Sequence, residues 1–277
     1  MDELHNLLGT DRWRDRWTLP LDNPSLYYPL AFYRGERWTR GDDLARILGR
    51  YAAGRALEVG CGTGKNSLLM AACGASPVLL DLTHESLQLA RGLLAERVAG
   101  AVYVQADACR LPFPDDAFDT VVSDCTLEHI PDYRRAFAEC ARVCRPAGHV
   151  IVTVPNLLRL DGWPFMGLWA RLRGTDRGLA RNFLPWELRR IFRDCGLEEV
   201  EAFAYGVVYA GAARVAVDKL VALAGLVGVH LDRGAVARWF LRDKRLGTPS
   251  WLGVEIGLVG RRGDRRANQS RLAAAQG

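Results

Sequence analysis

The sequence predicts an α/β fold in which a mostly parallel sheet of seven strands is flanked by helices and carries helical lid insertions. Three observations predict it. Short β-branched or aliphatic runs alternate with longer helical patterns, as consecutive βα units require. A glycine-rich turn follows the first of these runs. After residue 156 the alternation gives way to two long stretches without strand patterning, and connections of more than ~12–15 residues in a compact domain are usually lids or binding loops.

The elements follow in chain order. The first strand reads Arg55-Ala56-Leu57-Glu58-Val59, and a helix runs from the glycine turn to residue 73. A second strand at 77–81 precedes a helix over 84–97, and 101–105 is a short third strand. The fourth covers 118–123, centred on Val121 and Val122. Asp132 is placed to N-cap a helix reaching Cys144, punctuated by Pro146 and Gly148. Residues 149–154 form a fifth strand that Pro155-Asn156 stops. A helix over 185–195, opened by Pro185, leads to a sixth strand at 197–203, and 251–259 alternates like a closing strand.

This divides the chain into an N-terminal cap segment (1–40), one domain (41–260) with insertions at 157–183 and 205–249, and a basic tail (261–277) expected to be disordered. The cap segment carries Trp13, Trp17, Tyr27, Tyr28, Phe32, Tyr33 and Trp38 among charges. Two readings stand: helices packed on the sheet edge, or a cap closing over the substrate.

A chain of 277 residues, 49% hydrophobic and 25% charged, has the composition of an ordinary soluble domain. The first sixteen residues are charged throughout and lack an apolar core, so no secretory signal is expected there and a cytoplasmic location is. The formal charge of +5 lies mostly in the tail, where five arginines face only Asp264, and this argues against a nucleic-acid face on the body. Seven cysteines without a Cys-x-x-Cys pair fit a reducing compartment. Cys140 and Cys144 share a helix face, but nothing completes a metal site around them. The apolar region 202–231 is interrupted by Arg214, Asp218 and Lys219, which leave short apolar runs such as the ten residues Leu220–Val229. A spanning helix needs roughly 20, so lid helices or a peripheral membrane contact are expected instead.

The chemistry is concentrated in Leu57-Glu58-Val59-Gly60-Cys61-Gly62-Thr63-Gly64, a strand-to-helix turn where a ligand's polar end meets backbone N–H groups. Its glycines, read as keeping Cβ atoms out of a ligand's way, fall at 60, 62 and 64. That spacing is neither the dinucleotide fingerprint nor a phosphate loop. An acid, Glu58, stands two positions before Gly60, and a carboxylate there suits a cationic ammonium and repels a pyrophosphate. Asp81 ends the second strand, where an acid accepts ribose hydroxyls. Asp107 follows the third, where it can take an adenine amino group. Ser123-Asp124 ends the fourth. Acids placed in this order on separate strands favour S-adenosylmethionine (SAM) over NAD.

On these residues the chain resembles the small-molecule class I SAM-dependent methyltransferases, above all the ubiquinone and menaquinone biosynthesis enzymes. Leu57–Gly64, 80–90, 105–113 with its Leu-Pro-Phe-Pro, and 118–156 carry the likeness. Within the last, Thr126-Leu127-Glu128-His129-Ile130-Pro131-Asp132 matches the phrase after the fourth strand. Arg142-Val143-Cys144-Arg145-Pro146-Ala147-Gly148 matches a second phrase, with Cys144 and Ala147 as departures. The likeness is firm over 53–156 and loose over 182–205. It implies a Rossmann-like fold and the cofactor SAM, with Glu58 and the loop Gly60, Gly62 and Gly64 at the methionine end. Asp81 and Leu82 would hold the ribose, Asp107 and Ala108 the adenine, while Ser123 and Asp124 line the floor near the methyl group.

His129 is the candidate general base, since imidazole titrates near neutral pH, although this histidine often has a structural role in the family. Tyr27, Tyr28 and Trp163 are candidate substrate contacts. Arg159, Arg171, Arg173, Arg177 and Arg181 form either an anion clamp or a solvated basic face. The function expected is methyl transfer to an O, C or N atom of a fairly apolar small molecule. The alternatives are an RNA or protein methyltransferase and a non-catalytic SAM-binding protein. Ser123-Asp124-Cys125-Thr126 lacks the Asn/Asp-Pro-Pro-Tyr/Phe phrase of base-methylating enzymes.

Overall fold

In the computed structural model, described over residues 10–21, 33, 39–157, 181–205 and 255–263, the sheet has seven strands in the order β3-β2-β1-β4-β5-β7-β6. These are β1 (Arg55–Val59), β2 (Ser76–Asp81), β3 (Val102–Gln105), β4 (Phe118–Asp124), β5 (Cys144–Pro155), β6 (Leu197–Tyr205) and β7 (Glu255–Arg262). Pairing is parallel from β3 through β5, and β7 runs antiparallel between β5 and β6. The expected Rossmann-like architecture is present. Strand order reverses at β1, between β2 and β4, and this switch point opens a crevice at the strands' carboxyl ends.

The central strands are buried on both faces, which is why apolar residues stand at successive positions, as in Val121-Val122 and Val150-Ile151-Val152. Leu57 and Val59 join Val121, Val150 and Val152 on one face, against Phe137, Leu188 and Phe192 of α5 (Tyr133–Val143) and α6 (Pro185–Asp194). Ala56, Val122 and Ile151 face the other way, against Leu44, Ile47 and Leu48 of α2 (Thr39–Tyr51) and Met70 of α3 (Lys65–Ala72). Leu87, Ala90 and Leu94 of α4 (His84–Leu94) pack on Leu79 of β2. The remaining described helix is α1 (Thr10–Trp17).

Element ends shift by one to a few residues from the sequence reading, and three of these differences have a physical cause. β5 begins at Cys144, five residues early, because Pro146, Ala147 (φ +60°) and Gly148 form an irregularity in pairing with β4 and do not simply punctuate a helix end. A Cβ on Gly148 would lie 2.7 Å from the Asp119 carbonyl. β7 runs through Arg262, past the limit drawn at 260. The Arg262 guanidinium is buried against the carbonyls of Ala141, Arg142 and Cys144 at the end of α5, and it pairs with Asp116 at 3.2 Å. A helix C-terminus presents unsatisfied carbonyls and partial negative charge, so a cation is recruited there from what the sequence suggested was tail. Finally, α2 crosses the boundary drawn at residue 40 and packs on the sheet.

Candidate functional site

The loop between β1 and α3 is held by backbone bonds to β2: Gly60 and Cys61 N–H both donate to the Leu80 carbonyl, at 2.8 and 3.0 Å. Gly60, Gly62 and Gly64 all take positive φ, between +52° and +75°, which L side chains rarely adopt. What a Cβ would strike, however, is protein. Thr126 lies 2.2 Å from such an atom at Gly60, the Trp17 ring 3.2 Å at Gly62, and Leu94 2.5 Å at Gly64. The glycines therefore serve tight internal packing as well as the turn. Thr126 reaches Gly60 because Cys125, at φ +50°, turns the chain sharply beyond the tip of β4.

Glu58 is buried, and its acceptors face α3. Oε2 accepts from Ser67 N (2.8 Å) and Ser67 Oγ (2.5 Å), and Oε1 accepts from Asn66 Nδ2 (3.0 Å). Burial pushes its carboxyl up to about 7, although the Ser67 hydrogen bonds oppose this. Glu58 thus caps the α3 N-terminus that the sequence reading left to a ligand. Its path to one runs through Asn66, whose amide also donates to Asp124 Oδ2 at 3.3 Å and whose Oδ1 is buried without a hydrogen-bond partner.

Asp124, at the tip of β4, accepts from Thr153 Oγ1 at 2.6 Å and from Lys65 Nζ at 3.3 Å. Burial works to lower the Lys65 ammonium's pKa, but Asp124 and, after it, Glu58 together outweigh it and the net shift is upward. Ser123, expected on the floor of the site, is buried instead, its hydroxyl donating to the Val59 carbonyl at 3.2 Å and clamping β4 to β1. On the other side of the crevice Asp81 accepts from Gly62 N at 3.0 Å and, through Oδ1, from Thr83 N and Oγ1, both at 3.1 Å. Leu82 beside it is exposed, and Gln105 holds its carbonyl. Asp107 accepts from Cys109 N at 2.8 Å, a turn that fixes Ala108 at the core edge.

Sequence reasoning named Trp13, Trp17 and Tyr33 only as aromatics of the cap segment and did not place them on the loop. Trp17 covers Gly62, and Tyr33 donates its hydroxyl to the Thr63 carbonyl at 2.7 Å. Trp13 stacks on Trp17 and meets His129 edge-on. Arg14 reaches Glu85 of α4 at 3.4 Å, completing the seat of α1. α1 thus lies over the glycine loop through Trp17, whereas the residues of α2 that pack on the sheet, Leu44, Ile47 and Leu48, lie beyond the cap segment. A signal for Lys65 was present: a cation in a helix's first turn opposes the macrodipole, so it calls for an anionic partner.

His129 lies in a 3-10 turn (Leu127–His129), with Nε2 3.6 Å from Glu128 Oε1. Arg181 N–H donates to the Glu128 carbonyl, and its guanidinium lies over Tyr133 and Phe183 and pairs with Glu187. Arg181 is thus a packing residue, while Arg159, Arg171, Arg173, Arg177, Tyr27, Tyr28 and Trp163 lie outside the described residues. Cys140 and Cys144 are buried, and burial raises the pKa of both thiols, to about 12 at Cys144. No disulfide joins the cysteines. Among the described residues no acid, His and Cys cluster fit to hold a metal is found, and no helix is long and apolar enough to cross a membrane.

A doubly wound sheet with an acid at the tips of β2 and β4, another just beyond β3, and a buried acceptor at the head of α3 suits a ligand with an adenosyl group and an amino-acid end. A methyltransferase-domain family model matches residues 57–152. A phosphatidylethanolamine N-methyltransferase from Cereibacter sphaeroides is 36% identical over 182 residues, covering 63% of this chain and 84% of that protein. A ubiquinone biosynthesis O-methyltransferase from Thiobacillus denitrificans is 34% identical, covering 60% and 71%. The chain belongs to the SAM-dependent methyltransferase family. It matches only 42% of the length of an uncharacterised Mycobacterium tuberculosis protein, at 37% identity and over 44% of its own. A SAM-dependent methyltransferase structure from Mesorhizobium loti shares the fold, with TM-score 0.55 and 18% identity, covering 80% of this chain and 97% of that one.

Proposed function

We propose that the chain transfers the methyl group of SAM to an O, C or N atom of a fairly apolar small molecule. The observation that supports this is where the two insertions attach. The first leaves at Leu157 and returns at Arg181, stapled by Leu157 N–H to the Phe183 carbonyl (2.9 Å) and by Arg181 N–H to Glu128 (2.9 Å). The second leaves after Tyr205 and returns at Glu255, which is paired with both Tyr205 and Pro155. Both therefore spring from the sheet edge that carries Asp81 and Asp124, on the β4–β5–β7–β6 half, beside the cofactor crevice. Attachment at this edge supports reading the aromatic and aliphatic sequence between these points as a roof over an acceptor that excludes water. The relatives named for phosphatidylethanolamine and ubiquinone agree with an apolar acceptor.

When bound, SAM supplies an electrophilic methyl on a sulfonium, so the protein's task is alignment. Asp81 retains acceptor capacity beside the Gly62 N–H for a ribose hydroxyl, and Asp107 for the adenine amino group. Asn66 Oδ1 and Asp124 face a cationic amino group. The α1 helix shields the loop from water. His129, wedged between Trp13 and Glu128, positions this cover rather than removing a proton.

The test is transfer of labelled methyl from SAM, offered in parallel to hydroquinones, phosphatidylethanolamine vesicles, RNA and protein. Label in the organic extract supports the proposal. Label in RNA or protein, or no turnover with any acceptor, overturns it.

A further inference from the structure

Lys65 is the residue whose placement the fold explains least. It opens α3, where the helix's positive end disfavours a cation. Among the described residues its ammonium makes one hydrogen bond, to Asp124 Oδ2, and at 3.3 Å this is long for a charge-assisted contact. Its carboxylate partner is already shared, since Asn66 Nδ2 reaches the same oxygen and Thr153 the other. Next to Lys65 the fully buried Asn66 leaves Oδ1 without a donor. A buried amide acceptor left unmet costs desolvation energy with no return from the protein itself. The head of α3 therefore holds a cation with two donors to spare, a carboxylate it grips weakly, and an acceptor awaiting a donor.

We infer that Lys65 is an exchangeable internal counter-ion that selects ligands bearing a free amino-acid group. Without ligand it neutralises Asp124. An arriving α-ammonium donates to Asn66 Oδ1 and takes over Asp124, and Lys65 swings on its flexible stem to the α-carboxylate. The exchange conserves charge: one ammonium replaces another at Asp124, and the released one meets the incoming anion. No proton transfer is needed. This inference rests on the SAM reading of the site and adds to it the element that recognises the carboxylate.

The experiment is calorimetric binding of three ligands to the full chain and to Lys65→Met and Lys65→Arg, with thermal melting as the check on folding. SAM carries ammonium and carboxylate, decarboxylated SAM lacks only the carboxylate, and 5′-methylthioadenosine lacks both. Lys65→Met is expected to bind SAM at least about tenfold more weakly, to bind decarboxylated SAM as well as or better than the parent, and to leave methylthioadenosine unchanged. Lys65→Arg recovers most of the loss for SAM. Equal loss for all three ligands would assign Lys65 to loop architecture alone and overturn the inference, as would unchanged SAM binding. A parent chain that binds none of the three would instead defeat the cofactor reading.

Discussion

Trp13 and His129 meet edge to face, with ring centroids 4.8 Å apart and planes at 68°. The pair joins α1 to the 3-10 turn after β4, so a helix from the N-terminal segment is tied to the chain just beyond the tip of β4. Aromatic pairs of this geometry contribute about 0.5–1.5 kcal/mol beyond area burial.

Trp13→Ala and His129→Ala should each speed amide hydrogen exchange in α1 by roughly 2- to 10-fold. A double-mutant cycle should return a coupling of that size. His129→Phe keeps a ring against Trp13, and turnover is expected within about fivefold of the parent with an unchanged pH profile. A fall on the order of a hundredfold would give the imidazole a base role.

Asp81→Ala removes the strand-tip acceptor, and with it the partner of the Gly62 and Thr83 N–H groups. SAM affinity should drop by roughly 1.5–3 kcal/mol, or about 10- to 150-fold, measured by calorimetry on a variant shown by melting to be folded. Unchanged affinity would remove Asp81 from the site.

Gly60→Ala and Gly74→Ala separate backbone strain from packing. Both glycines have positive φ, +71° and +87°, but a Cβ at Gly74 meets nothing within 4 Å, while at Gly60 it meets Thr126. Urea denaturation should show about 1–2 kcal/mol lost at Gly74, and about 1–3 kcal/mol more at Gly60 from overpacking. Equal losses would mean that Thr126 yields freely.

Glu58 gives the stability curve a defined pH window. Its folded carboxyl is raised from 4.5 to about 7 by burial, so the folded state binds this proton more tightly than the unfolded chain. The contribution is fully present below about 4.5 and is lost as pH rises through about 7. Glu58→Gln should remove this component, so the parent-minus-variant stability difference should change by about 3 kcal/mol between those limits. A flat difference would show that Glu58 titrates normally.

Much of the candidate site was legible because its acids sit at or near strand ends, and strand ends announce themselves where short apolar runs stop. Glu58, Asp81, Asp107 and Asp124 were found this way. The use each side chain makes of its lone pairs was not legible. Ser123 and Asp124 are adjacent, yet one is spent on Val59 and the other meets Lys65, because successive side chains of a strand leave opposite faces. Trp13 and Trp17 looked like any aromatic pair among charges, since nothing local links residue 17 to residue 62. Arg142 shows the same limit. It was read as part of a phrase, but its guanidinium joins Glu139, Asp115 and the carbonyls of Leu111 and Phe113, tying that phrase to the Leu-Pro-Phe-Pro segment.

By itself the sequence determined the βα rhythm, the glycine turn and the order of the acids, and through them the family and its cofactor. These are local properties, set by periodicity and by which residues tolerate a left-handed turn. Only the tertiary structure decided that α1 covers the loop, that both insertions spring from one sheet edge, that Arg262 caps α5, and that Lys65, Asn66 and Asp124 converge. Those relations depend on strand order and helix docking, which bring together residues tens to more than a hundred positions apart, and spacing along a chain carries no record of such distances.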